Sequence, residues 1–109
     1  MIEERKDRKT MDNDDALLLV SGVGKGDRDS KEYVKQLANA VVQVFYKYEV
    51  VRLRCVGAAA VNNGVKSFII AKGEALKKGD KLVIDPSFTT VKFKDEEKTG
   101  IIMEVTAIK

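Results

Sequence analysis

The sequence predicts a two-layer α+β domain in the order β-α-β-α-β-β, a mixed four-stranded sheet with two helices on one face. Three observations carry this expectation. Two long stretches repeat apolar residues at helical spacing, while short apolar or alternating stretches lie between turn residues. Each of the first two strand-like stretches is followed by a helix, which makes two crossovers, and the last two strands form a terminal hairpin.

The elements follow in order. Residues 16–20 are a continuous apolar run closed by Ser21-Gly22, as in a buried strand. A Gly-rich loop, 22–28, leads to Asp29, which opens a helix with Glu32 three residues on as a capping-box partner. In this helix Val34, Leu37, Ala38, Val41, Phe45 and Tyr48 recur on one face. Residues 49–56 alternate, with Val51, Leu53 and Cys55 on one side and Arg52, Arg54 and Val56 on the other.

Gly57 breaks that strand, and a second helical pattern begins at Ala58, with Val61, Val65, Phe68, Ile69, Lys72 and Leu76 in register. Lys77-Lys78-Gly79 is its stop, cations in the last turn and Gly beyond. Gly73 inside the pattern marks an earlier end or a kink. Residues 81–85 read as a strand halted by Pro86, 89–94 as extended, 95–98 as a loop, and 101–108 as the last strand.

Composition narrows the chemistry. The 109 residues contain no His and one Cys. The commonest general base, every His-activated nucleophile and any cysteine-based zinc site are therefore excluded. No Asp/Glu cluster has catalytic spacing, so the expectation is a protein that is not an enzyme, without cofactor, metal or small-molecule substrate. The apolar runs fall far short of the roughly 20 residues that span a bilayer, and the charged N-terminus carries no secretory core. The expected location is cytoplasmic, with no membrane partner. Residues 1–15 hold six acids, four bases and three apolar side chains, and read as a flexible charged tail. The whole chain is +3 and the tail −2, so residues 16–109, read as a single domain, carry +5.

Several basic residues lie near the first strand-to-helix loop. That loop fails the P-loop pattern at Leu19 and Gly26, and the dinucleotide pattern at Asp27. Free amides at a helix start, with Lys25, Arg28 and Lys31, can still grip a phosphate; the same residues also suit a plain basic turn. Arg52 and Arg54 suit either phosphate contact or cross-strand pairing, for instance with Glu104. Lys92, Lys94 and Lys98 flank the last hairpin, although Asp95, Glu96 and Glu97 sit at its tip. Phe88 and Phe93 fit base stacking, core packing or a dimer contact. Cys55 reads as a small buried hydrophobe.

The run GAAAVNNGVKSFIIAKG at 57–73, then PSFT at 86–89 and EEKT at 96–99, resembles the stage V sporulation protein S family. The resemblance covers about residues 17–106, and that family is similar in fold to the Alba chromatin and RNA-binding proteins. It implies a small, dimeric regulatory protein of bacterial development that binds DNA or RNA with weak sequence preference. In Alba-like proteins the loop after the first strand, the small-residue motif opening the second helix and the hairpin arms meet nucleic acid. Carried over, these are Lys25; residues 57–63, including Asn62 and Asn63, with Lys66; and Lys92, Lys94 and Lys98. A regulator that acts mainly through a protein partner is the alternative.

Overall fold

In the computed structural model, residues 15–22 and 30–108 are described. The chain runs β1 (Leu17–Val20), α1 (Ser30–Tyr48), β2 (Val51–Cys55), α2 (Ala58–Leu76), β3 (Lys81–Phe93) and β4 (Glu96–Ile108). The strands form one sheet in the order β1-β2-β4-β3. β1 is parallel to β2, as a helical crossover requires, and the other pairings are antiparallel. This is the expected α+β architecture. The expectations for residues 1–14, the loop 23–29 and the cap Asp29 lie outside the described residues.

Strand alternation sets the core. Val51, Leu53 and Cys55 turn inward with Met103 and Val105 of the paired β4, all of them buried. Leu37, Val41 and Phe45 of α1 join them in the core, and Val34 and Ala38 on the same helix are also buried, as the helical spacing predicts. Each large side chain so buried contributes about 1.5–3 kcal/mol of hydrophobic stabilisation. Glu49 ends α1 by adopting a left-handed φ of 66°, and its N–H donates to the Phe45 carbonyl at 2.6 Å.

Helix α2 departs from the expected register. Its buried face is Ala60, Asn63, Gly64, Ser67, Phe68, Ala71 and Ala75, whereas Ile69 and Leu76 are 59% and 57% exposed. The reason is how closely the helix approaches the sheet. A Cβ on Gly64 would stand 2.7 Å from Met103 Cε and 3.1 Å from Cys55 Sγ. Only a residue without a side chain fits at Gly64, and around it the buried face is mostly small, with Phe68 its one large member, while Ile69 and Leu76 turn away. Gly73 neither ends nor interrupts the helix, which continues to Leu76. Gly79 then takes a φ of 90°, and the Asp80 N–H returns to the Ala75 carbonyl at 3.0 Å.

Pro86 does not stop β3, which is continuous from Lys81 to Phe93. β3 is an edge strand paired to β4 alone, and an edge tolerates a residue without an N–H. The expected loop at 95–98 shrinks to the two-residue turn Lys94-Asp95, with Lys94 at φ 59°. Beyond Ile101, where β2 stops pairing, the hairpin runs on as a two-stranded arm.

Candidate nucleic-acid interface

A groove opens between the first half of α2 and the root of the arm. Val61 and Val65 line one wall, Ile101 and Phe88 the other, with Gly57, Asn62 and Thr99 around the rim. Phe88 follows the inward alternation of β3, but it lies past the helices and is therefore 80% exposed. Gly57, at φ 98° and ψ 154°, starts α2 without a side-chain cap, and the first turn carries no acid. Its opening amides thus keep their positive end unopposed beside an aromatic ring and the exposed amide of Asn62.

Asn63, which the resemblance placed at nucleic acid, is 5% exposed. Its Nδ2 donates to the Ser21 carbonyl at 3.0 Å, so the side chain is used within the fold. The Ser21 N–H donates to the Tyr33 hydroxyl at 2.8 Å. A Cβ on the adjacent Gly22 would meet the Ala59 Cβ at 3.1 Å and the Ala60 N at 3.2 Å. The end of β1 is thereby pinned against both helices. The small run 57–60 is what permits the contact, a close approach the composition announced; nothing in the sequence announced Tyr33.

The expected cations do not form one cluster. Lys66 is exposed one helical turn beyond Asn62, continuing the groove rim, and Lys31 is exposed in the first turn of α1. On the arm, strand alternation puts Lys92 on the Phe88 side and Lys98 on the opposite side, with Lys94 at the tip. Lys92 Nζ lies 3.9 Å from Glu97 Oε2, and both side chains are exposed. Three lysines against Asp95, Glu96 and Glu97 leave the arm without net charge. Lys25 and Arg28 lie outside the described residues.

The two readings of the β2 arginines also separate. Arg52 stands opposite Glu104 and pairs with it, Nε to Oε2 at 3.8 Å, with its side chain only 12% exposed. Cross-strand pairing therefore describes Arg52. Cys55, at the base of the groove, is buried, and burial pushes its thiol up to about 11. It stays protonated near neutral pH and is no nucleophile. Among the described residues, no group of three or more His, Cys, Asp or Glu is placed to hold a metal ion. No helix among them is long and apolar enough to cross a membrane.

Among solved structures, Alba from Thermoplasma volcanium follows a similar path at 17% identity and a TM-score of 0.48, over 85% of this chain and 99% of its own. The family model for stage V sporulation protein S matches residues 29–108. That span takes in α1, β2, α2 and the whole terminal hairpin, and by it the chain belongs to the stage V sporulation protein S family.

Proposed function

We propose that this protein is a non-catalytic regulator that binds DNA or RNA with little sequence preference, in the cytoplasm and as a homodimer. One observation carries the reading: the uncapped, acid-free start of α2 shares a groove with the exposed Asn62 and Phe88. Backbone amides suit a phosphate, an exposed aromatic suits a base, and Lys66 extends the electrostatic track. Lys25 and Arg28, between β1 and α1 in the sequence, and Lys31 in the first turn of α1 add further phosphate contacts in this reading. The outward residues Ile69, Ile70 and Leu76 supply the apolar surface for the dimer.

Fluorescence anisotropy with labelled duplex DNA, single-stranded DNA and RNA tests it. With about five phosphates neutralised, log K against log salt should fall with a slope of about −4 to −5 on duplex DNA. Lys25→Glu with Arg28→Glu should abolish binding, and Lys66→Glu should weaken it on all sequences alike. A flat salt dependence, or no binding at 50 mM salt, overturns the reading. The alternative, a regulator acting through a protein partner, is favoured by the charge balance of the arm. Under it, the same charge reversals leave protein pull-downs intact.

A further inference from the structure

The sheet has a second face, turned away from both helices, and in the rows that β2 spans its charges are sorted by strand. Alternation puts Arg52 and Arg54 of β2 on this face, with Glu104 of β4 and Asp85 of β3. Arg52, Glu104 and Asp85 stand in one row across the three strands. Within the rows that β2 spans, the cations thus stand on β2 and the acids on β4 and β3; Lys81 of β3 faces the same way, opposite Ile108 and beyond those rows. Leu19 and Ile108, 62% and 54% exposed, add apolar surface at the margins.

The cations have donors to spare. Arg52 meets Glu104 only at the long distance of 3.8 Å, and its Nη1 is buried with no acceptor. Arg54 is half-buried, and no hydrogen bond or ion pair joins its guanidinium to any described residue. A partly desolvated guanidinium without an acceptor is costly, and a carboxylate brought over it removes that cost. The face carries such carboxylates itself, on its other half.

We propose that this face joins two copies of the chain about a two-fold axis, the arginines of one over the acids of the other. An axis lying in the face along the strand direction exchanges β2 with β4 and β1 with β3. It carries the cationic half of one copy onto the acidic half of its mate, the self-complementarity an isologous contact requires. Sheets packed in this way lie about 10 Å apart with strands within about 30° of each other. The overlap is small. Four strands about 4.8 Å apart and about five residues long cover roughly 300 Å² per copy. A standard interface buries about 800 Å² per partner. The contact is therefore weak, and it joins molecules at high concentration or when α2 already pairs them.

Sedimentation velocity on the full chain from 10 μM to 1 mM, at 50 and 500 mM salt, is the test. The wild type should show species larger than the α2 dimer at high concentration and low salt, lost at 500 mM. Arg54→Glu should weaken this association at least tenfold, as should Glu104→Lys. An equimolar mixture of the two should restore it, because each variant repels itself and attracts the other. Circular dichroism checks folding; if Glu104→Lys does not fold, Asp85→Lys, at an exposed position, takes its place. Wild type that stops at the α2 dimer at 1 mM overturns the proposal, as does a mixture that fails to reassociate. Ile69→Asp separates the two contacts. If it alone dissociates the protein, the α2 dimer stands and this face does not. If Arg54→Glu alone does so, this face is the dimer contact and the α2 reading fails.

Discussion

Helices α1 and α2 are each nineteen residues long and lie on the same side of the sheet, yet they solve the packing problem in opposite ways. α1 buries its bulky stripe, Val34, Leu37, Val41 and Phe45. α2 buries three alanines, Asn63, Gly64 and Ser67 with Phe68 as its one large side chain, and leaves Ile69 and Leu76 outside. The first arrangement is the ordinary amphipathic one and serves stability. The second brings a helix backbone close to β2 and β4, and the apolar residues it displaces become surface. What α2 gives up in core volume it returns as a stripe and a groove open to partners.

That comparison can be broken from either side. On α1, shrinking a side chain should hurt most: Phe45→Ala should cost about 3–5 kcal/mol and Leu37→Ala about 2–5 kcal/mol, read from urea unfolding. On α2, enlarging one should hurt instead. Gly64→Ala should cost about 1–3 kcal/mol, because its Cβ must displace Met103 and Cys55. A stabilising Gly64→Ala would show that α2 does not sit as closely as described. Ile69→Lys should leave the unfolding free energy of dilute protein within about 0.5 kcal/mol of wild type. If it destabilises the monomer, the outward stripe belongs to the core after all.

A group near the end of α1 and one beneath α2 both make stability fall at alkaline pH. The Tyr46 hydroxyl, near the end of α1, donates to Asp80 Oδ2 at 2.6 Å, and Lys78 Nζ sits 4.8 Å from its ring. The hydrogen bond to Asp80, then desolvation and the carboxylate charge, hold the phenol above its usual value. Cys55, under α2, is raised from 9.0 to about 11 by burial. Both groups hold their proton more tightly folded than unfolded, so each contributes stability that is complete below the unfolded value. For Cys55 it is lost as pH rises from about 9 through 11; for Tyr46 the loss begins above about 10. Urea midpoints at pH 7, 9 and 10.5 should fall in that order, with a shallower fall in Tyr46→Phe. The smallest effect expected is at Gly73, in the middle of α2 with open space around its missing Cβ. Gly73→Ala should stabilise by about 0.5–1 kcal/mol in thermal or urea unfolding.

Much of this was legible in the residues. Alternation in 51–55 separated Val51, Leu53 and Cys55 from Arg52 and Arg54, and the period of α1 selected its buried face. Gly79 marked the end of α2 because a left-handed residue was needed there. Pro86 misled, since a proline's effect depends on whether its strand is central or at an edge, which sequence order does not disclose. The site was less legible. The run 57–60 signalled a close approach, but Asn62 and Asn63 are chemically identical neighbours. One faces out beside the groove, and the other is buried and holds the Ser21 carbonyl.

By itself, the sequence determined the order of elements, the inward side of β2, the inward face of α1 and the exclusion of histidine chemistry. Those follow from local periodicity and residue type, which act over a few residues. Only the tertiary structure decided which stripe of α2 meets the sheet. Both stripes have helical period, and the choice rests on the separation that Met103 and Cys55 allow. It likewise decided that Arg52 meets Glu104, and that in the rows β2 spans the outer face sets arginines on β2 beside acids on β4 and β3. Those are properties of strand register, set by pairings between residues about fifty positions apart in the chain.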